Sequence, residues 1–282
     1  MLLSVIITSY NREDFIAEAI ESVLSSSYKD YELIISDDGS TDNTINIINR
    51  YALKDERIKI YTCEKNTGQF ENRNRAASYA QGTYIKYLDS DDIIYPFSLQ
   101  IMMDAMIKFP DAGLGFCIKY EDALKPYPYL INPEDAYFTH YLKQELLMIG
   151  PSGLIIKKEA FDLVKGFEFF GMPSDNHLTL KIAGKYPVVA LQRDLFWWQT
   201  HPGQVFTQNI GNHQNILNNY LYNINILLNH SPLDKLQNNT IIYNHKKIFF
   251  KNLLKLVFKK ARPIEAIRLF NLYLQLKQSL KP

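Results

Sequence analysis

Over roughly the first ninety residues the chain switches repeatedly between two hydrophobic periodicities, and this restricts the fold more than any other feature. Residues 3–8 form a β-branched run, and residues 14–24 then set Phe15, Ile16, Ala19, Ile20, Val23 and Leu24 at helical spacing. The cycle recurs: a strand pattern at 31–35, a helix pattern at 42–51, a strand at 58–61, a helix at 71–80 stopped by Gly82, and a strand at 84–88. A βαβαβαβ order predicts an α/β fold, a mostly parallel sheet with right-handed crossovers and helical cover.

Beyond residue 96 the pattern loosens. A helix is expected over 96–109, a strand over 112–118, a helix over 138–148, a strand over 152–156, helices over 158–164 and 175–183, and closing strands over 188–192 and 195–199. Residues 120–135, with Pro126, Pro128 and Pro133, read as a loop over the pocket. From about residue 212 the chain becomes rich in Asn, Leu and Ile with helical periodicity, which places a boundary between an α/β domain at 1–205 and a helical region at 206–282.

Two strands end in acid. The run at 84–88 leads into Asp89-Ser90-Asp91-Asp92, and the run at 31–35 into Ser36-Asp37-Asp38-Gly39-Ser40-Thr41-Asp42. Carboxylates at this spacing repel one another, and a hard divalent cation relieves the repulsion. An acidic turn capping the next helix has the same composition, so one cluster alone does not decide. Two of them on parallel strands would share the sheet edge where open α/β sheets bind ligands.

Composition narrows the function. A net charge of +1 argues against nucleic acid as a partner, and 46% hydrophobic with 22% charged residues suits a globular enzyme. Cys63 and Cys117 lack metal-ligand or redox spacing, which fits a reduced, cytoplasmic setting. No stretch reads as a transmembrane span. Between Tyr243 and Pro282 ten Lys or Arg face the single acid Glu265, with Ile248, Phe249, Phe250, Leu253, Leu254, Leu256, Val257 and Phe258 interleaved. This pattern fits a basic amphipathic helix at the inner face of a membrane; docking on the catalytic domain or in a homodimer fits it equally.

Ser4-Val5-Ile6-Ile7-Thr8-Ser9-Tyr10-Asn11-Arg12, the Asp37-Asp38 cluster, Asn66-Thr67-Gly68 with Arg73-Asn74, and Leu88-Asp89-Ser90-Asp91-Asp92 together resemble the ordered signature of family 2 glycosyltransferases with the GT-A fold. The likeness extends more loosely through Gly150-Pro151-Ser152-Gly153, Lys165-Gly166-Phe167 and Ser174-Asp175 to about residue 205. It implies inverting transfer of a sugar from a nucleotide-diphosphate donor, UDP favoured, to a hydroxyl of a saccharide or lipid-linked saccharide. By the same resemblance Asp91 ligates Mn²⁺ or Mg²⁺ with Asp89 beside it, Ser90 lies between them, and His201 approaches the metal or diphosphate. Asp38 would read the imide N–H of the base, Thr8 and Tyr10 would build the nucleoside pocket, and Arg73 would contact base or diphosphate. Asp175 would be the general base, although Ser174 stands where the family usually has Glu, and Asn72 where it usually has Ala. Trp197 and Trp198 are candidates for stacking on a sugar, and residues 120–137 and 169–173 for binding the acceptor.

The competing readings lack support in the motifs. A sugar-phosphate nucleotidyltransferase needs a Gly-rich basic loop after the first strand, and Ser9-Tyr10-Asn11-Arg12-Glu13 has no glycine. A dinucleotide dehydrogenase needs G-x-G-x-x-G. A non-catalytic module that binds nucleotide-sugar remains an alternative on fold grounds alone.

Overall fold

The computed structural model describes residues 2–119, 125–169, 174–201 and 212–276. The first half follows the predicted alternation: β1 (Leu3–Ser9), α1 (Ile16–Leu24), β2 (Tyr31–Asp37), α2 (Thr44–Ala52), β3 (Ile58–Thr62), α3 (Gln69–Ser78) and β4 (Tyr84–Asp89). After a short β5 (Ile93–Ile94) come α4 (Ser98–Lys108), β6 (Leu114–Cys117), β7 (Tyr129–Ile131), α5 (Pro133–Leu142), β8 (Leu154–Lys157), α6 (Lys158–Leu163), α7 (Ser174–Ala183), β9 (Val188–Leu191) and β10 (Phe196–Trp197).

Eight strands form one sheet in the order β3-β2-β1-β4-β8-β6-β9-β7, and β5 pairs with β10 in a separate two-stranded ladder. The β3-β2-β1-β4 portion is parallel, whereas β8 is antiparallel to both its neighbours, and β7 is antiparallel to β9. Period-2 alternation gives each inner strand two apolar faces. Val5, Ile7, Leu33, Ile35 and Leu88 pack in the core beneath α1 and α4, and Ile6, Ile34, Ile85 and Tyr87 enter the core beneath α3 and α6. The turn into β4 requires glycine, because a Cβ on Gly82 would lie 2.6 Å from the Ser4 backbone nitrogen.

Two expectations need correction. Residues 125–135 are not all loop: β7 extends the sheet edge, and α5 starts at Pro133 instead of 138 and ends at Leu142 instead of 148. Pro133 is a helix start, with Asn132 accepting from the Asp135 backbone N–H at 2.9 Å as the N-cap. Residues 120–124 and 170–173, parts of the two expected acceptor loops, lie outside the described residues, as does the boundary at 205–206.

The helical region contains α8 (Gln214–Asn229), α9 (Lys235–Phe258) and α10 (Pro263–Leu276). Helix α8 is buried on two sides. Its Tyr222, Ile226 and Leu227 join the main core, while Leu217, Tyr220 and Ile224 join a second core with α9 and α10. His177 on α7 meets the Asn225 amide oxygen at 3.1 Å across the α7–α8 contact. No helix of the described residues is long and apolar enough to cross a membrane.

Candidate active site

Register brings the acidic clusters together. Ser9 pairs with Asp37 and Thr8 with Asp89, so β1, β2 and β4 end level at one sheet edge. The loops beyond them are tied across this edge: Ser40 Oγ accepts from the Asn11 N–H at 2.8 Å, and Thr44 Oγ1 from the Arg12 N–H at 2.8 Å. Asp37 closes the turn, accepting from Ser9 Oγ at 2.9 Å and from the Ser40 backbone N–H at 2.8 Å. Tyr10, 41% exposed, stands on this stitched loop, and Thr8 is half-buried at its base.

Arg73 occupies the centre of the site. Its guanidinium donates to Asp89 Oδ1 at 2.6 Å and to Asp175 Oδ1 at 2.7 Å, the latter 102 positions from Arg73 in sequence. The side chain is buried, with Phe70 and Phe167 rings 5.8 and 5.5 Å from its guanidinium carbon, and its carbonyl accepts from the Tyr87 hydroxyl. One N–H of each terminal nitrogen is taken by a protein carboxylate, while the buried Nε has no partner among the described residues. Burial opposes its charge, but the two carboxylates outweigh that and hold Arg73 firmly protonated. At Asp175, burial pushes the carboxyl above its ordinary value, Arg73 pulls back, and Asp89 adds a smaller push upward.

The neighbouring residues of α3 explain how the clamp is held. Asn74 brackets the Phe167 backbone, donating to its carbonyl and accepting from its N–H, both at 2.9 Å. This fixes the Lys165-Gly166-Phe167 turn that precedes α7, and Gly166 has φ +65 with no room for a Cβ against Asn74. Asn72, in the place of the expected alanine, is buried: its Oδ1 accepts from Ser36 Oγ at 2.6 Å, and its Nδ2 donates to the Ser36 carbonyl at 3.0 Å.

The two acids that follow β4 diverge. Asp91 is 13% exposed, its Oδ2 lying 2.9 Å from His201 Nε2 and 3.7 Å from Arg12 Nε. The His201 ring stacks on Phe15 with centroids 4.4 Å apart. The sequence therefore named a pair that the fold does bring together. Asp92, by contrast, turns inward. It accepts from the Gln199 backbone N–H at 3.3 Å, and burial, reinforced by the Asp89 charge, pushes its carboxyl up to about 7. Ser90 is also buried in this turn, which is closed by Asp92 N–H to the Asp89 carbonyl.

Asp38 is bonded extensively within the protein. Its carboxylate is buried, accepting from the Thr67 hydroxyl at 2.7 Å, the Thr67 and Gly68 backbone N–H groups at 2.9 and 2.8 Å, and Arg75 at 3.2 Å. These bonds outweigh burial and lower its pKa. With its oxygens used in this way, Asp38 fastens the Asn66-Thr67-Gly68 loop to the end of β2.

Two residues escaped the sequence reading. Ser152 Oγ accepts from the Asp89 backbone N–H at 3.0 Å and bonds the Asp92 carboxyl, while its carbonyl accepts from Lys86 Nζ. Lys86 is fully buried behind the acidic turn, also donating to the Tyr87 carbonyl at 2.6 Å, and burial lowers it to about 8. Gly150-Pro151-Ser152-Gly153 was a visible signal for the first. A lysine inside an apolar strand run was a weaker one for the second.

The donor set suits a hard cation held partly by substrate. Asp91 offers carboxylate oxygen and His201 an imidazole nitrogen, with Asp89 two positions away, although among the described residues no three such side chains converge as a complete cation site. Mg²⁺ sites built from one or two carboxylates plus substrate phosphates have this form, and Mn²⁺ accepts the same ligands.

Trp197 and Trp198 are 48% and 53% exposed near the same edge, and β10 carrying Trp197 pairs with β5 directly after the acidic turn.

The sequence model of the family described as Glycosyl transferase family 2 matches residues 4–164. A Bacillus subtilis protein provisionally named teichuronic acid biosynthesis glycosyltransferase TuaG is 35% identical over 160 residues, covering 56% of this chain and 63% of that protein. The Escherichia coli UDP-Glc:alpha-D-GlcNAc-diphosphoundecaprenol beta-1,3-glucosyltransferase WfgD is 41% identical over 107 residues, covering 38% of this chain and 42% of that protein. The chain thus spans less than two thirds of the length of either relative. Among solved structures, S. aureus TarS 1-349 in complex with UDP-GlcNAc superposes with a TM-score of 0.73 at 19% identity, covering 94% of this chain and 79% of that one. The shared architecture is the GT-A fold, as the motif order implied.

Proposed function

Because the chain belongs to glycosyl transferase family 2, we propose that it transfers a sugar, with inversion, from UDP-sugar to a hydroxyl of a lipid-linked saccharide during synthesis of a cell-surface polysaccharide. The observation that carries this reading is the Arg73 clamp, which holds the candidate base Asp175 and the Asp89-Ser90-Asp91 turn on one guanidinium. The donors and acceptor named for WfgD and TarS support UDP and a lipid diphosphate acceptor.

In this reading the acceptor hydroxyl approaches Asp175, whose Oδ1 is fixed by Arg73 and which remains 26% exposed. As the hydroxyl oxygen attacks the anomeric carbon, its proton passes to the Asp175 carboxylate and the bond from that carbon to the diphosphate oxygen breaks. Burial raises the basicity of Asp175, while Arg73 keeps it ionised and oriented. Asp91 and His201 would hold Mn²⁺ or Mg²⁺, which when bound neutralises charge developing on the leaving diphosphate. Arg12, beside Asp91, adds a cation at the same edge. Thr8 and Tyr10 line the nucleoside side, and Asp38 shapes it indirectly through the Asn66-Thr67-Gly68 loop.

A thermal-shift panel of nucleotide sugars with and without Mn²⁺ tests the donor class. UDP-sugars should raise the melting temperature, more so with the metal. A larger shift from GDP- or CDP-sugars, or from nucleoside triphosphates, would contradict the proposal.

A further inference from the structure

Helix α9 carries two apolar faces. Ile241, Phe249, Leu253 and Leu256 are buried, and the last three form the second core with α8 and α10. On the opposite side, Leu236, Tyr243, Leu254 and Phe258 are 77%, 57%, 57% and 80% exposed. At about 100° per residue these four fall in one stripe, roughly opposite the buried face. Lys247 and Lys251 stand in the same stripe, and with Tyr243, Lys246, Phe250 and Leu254 they line a shallow depression of about 360 Å³. The pattern continues past the helix end, where Ile264 and Ile267 are 84% and 59% exposed between Arg262 and Arg268. There is no acid from residue 235 to 264, and Glu265 is already engaged by His213 at 2.8 Å and Arg262 at 3.6 Å.

We propose that this face docks onto an anionic lipid bilayer, with Tyr243, Leu254 and Phe258 entering the headgroup boundary and Lys246, Lys247 and Lys251 meeting lipid phosphates. Charge selects this occupant over a second copy of the chain. A two-fold interface along the stripe would set lysines against their own equivalents with no carboxylate to separate them, whereas an anionic bilayer supplies both opposite charge and an apolar phase. The inference is independent of the reaction catalysed.

The test is co-sedimentation of the full chain with phosphatidylglycerol and phosphatidylcholine vesicles. Binding should favour phosphatidylglycerol at low salt and disappear at high salt. At about fivefold per basic residue, Lys247→Gln with Lys251→Gln should lower partitioning about 25-fold. Leu254→Ser with Phe258→Ser should lower it at least about tenfold. All four side chains lie on the outward face, so unchanged thermal melts are expected for both variants. Failure to bind phosphatidylglycerol at low salt would overturn the proposal, as would variants that bind like the parent. A self-association abolished by the Leu254→Ser, Phe258→Ser pair, with vesicle binding unaffected, would assign the face to a second copy instead.

Discussion

Replacing Arg73 with methionine removes the shared cation while keeping most of the side-chain volume. The guanidinium contacts Asp89 and Asp175 at 2.6 and 2.7 Å, both through partly buried oxygens. A unit-charge pair about 4 Å apart at an effective dielectric of 20 interacts by about 4 kcal/mol, and an opposite charge this close moves a carboxyl by roughly 1–3 units. Without the cation that pulls it down, the Asp175 carboxyl should rise further above its ordinary value. A base must be ionised to accept a proton, so the acidic limb of kcat/KM should move to higher pH. Breaking a buried pair from one side also costs about 3–5 kcal/mol at neutral pH, and less in acid, where the abandoned carboxylates protonate. Transfer rates across roughly pH 5–9, with urea denaturation at both ends, measure these effects together. Arg73→Lys should recover part of the stability but not the pH profile, because an ammonium cannot reach both acids in fork geometry. A slower variant whose acidic limb coincides with the parent's would refute the clamp and place Arg73 on the substrate.

Asp91→Asn should abolish metal-dependent donor binding, read by calorimetry with UDP and Mn²⁺, while stability changes by no more than about 1 kcal/mol because its partners His201 and Arg12 remain partly solvated. Unchanged metal dependence would remove Asp91 from the cation site. Asp92 has the opposite character: with its folded carboxyl at about 7, it contributes most to stability below its unfolded value of 3.8 and loses that contribution as pH rises through 7. Asp92→Asn should therefore stabilise the protein by as much as about 4 kcal/mol above neutrality and flatten the decline between these limits. Urea midpoints that fall equally in both proteins would contradict the burial argument.

Much of the parallel half was legible because each buried strand advertises itself by a β-branched run and each helix by a 3.6-residue period. That Asp89 and Asp91 share an edge with the end of β1 was legible because strand ends locate themselves, whereas the approach of His201 to Asp91 followed only from the resemblance. What remained hidden were partners distant in sequence. Nothing near Arg73 signals that its forks would be claimed by Asp89 and Asp175, and nothing near Asp38 signals that Thr67 and Gly68 would take its oxygens. The composition of Asp91-Asp92 could not show that one acid faces the edge and the next the core. Pro133 was read as loop punctuation because proline marks turns and first helical positions alike, and only the Asn132 cap separates them. In α9 the apolar residues were evident, but which of two opposite stripes the other helices would cover was not.

The proposed transfer depends most directly on Asp175. Asp175→Asn keeps the side chain's shape and one acceptor for Arg73 but abolishes its capacity to take a proton. Parallel measurement of UDP-sugar affinity and single-turnover sugar transfer should show donor binding within a few-fold of the parent and transfer slower by about a hundredfold or more. Full turnover in this variant, or loss of donor binding in proportion to the loss of rate, would show that Asp175 is not the base.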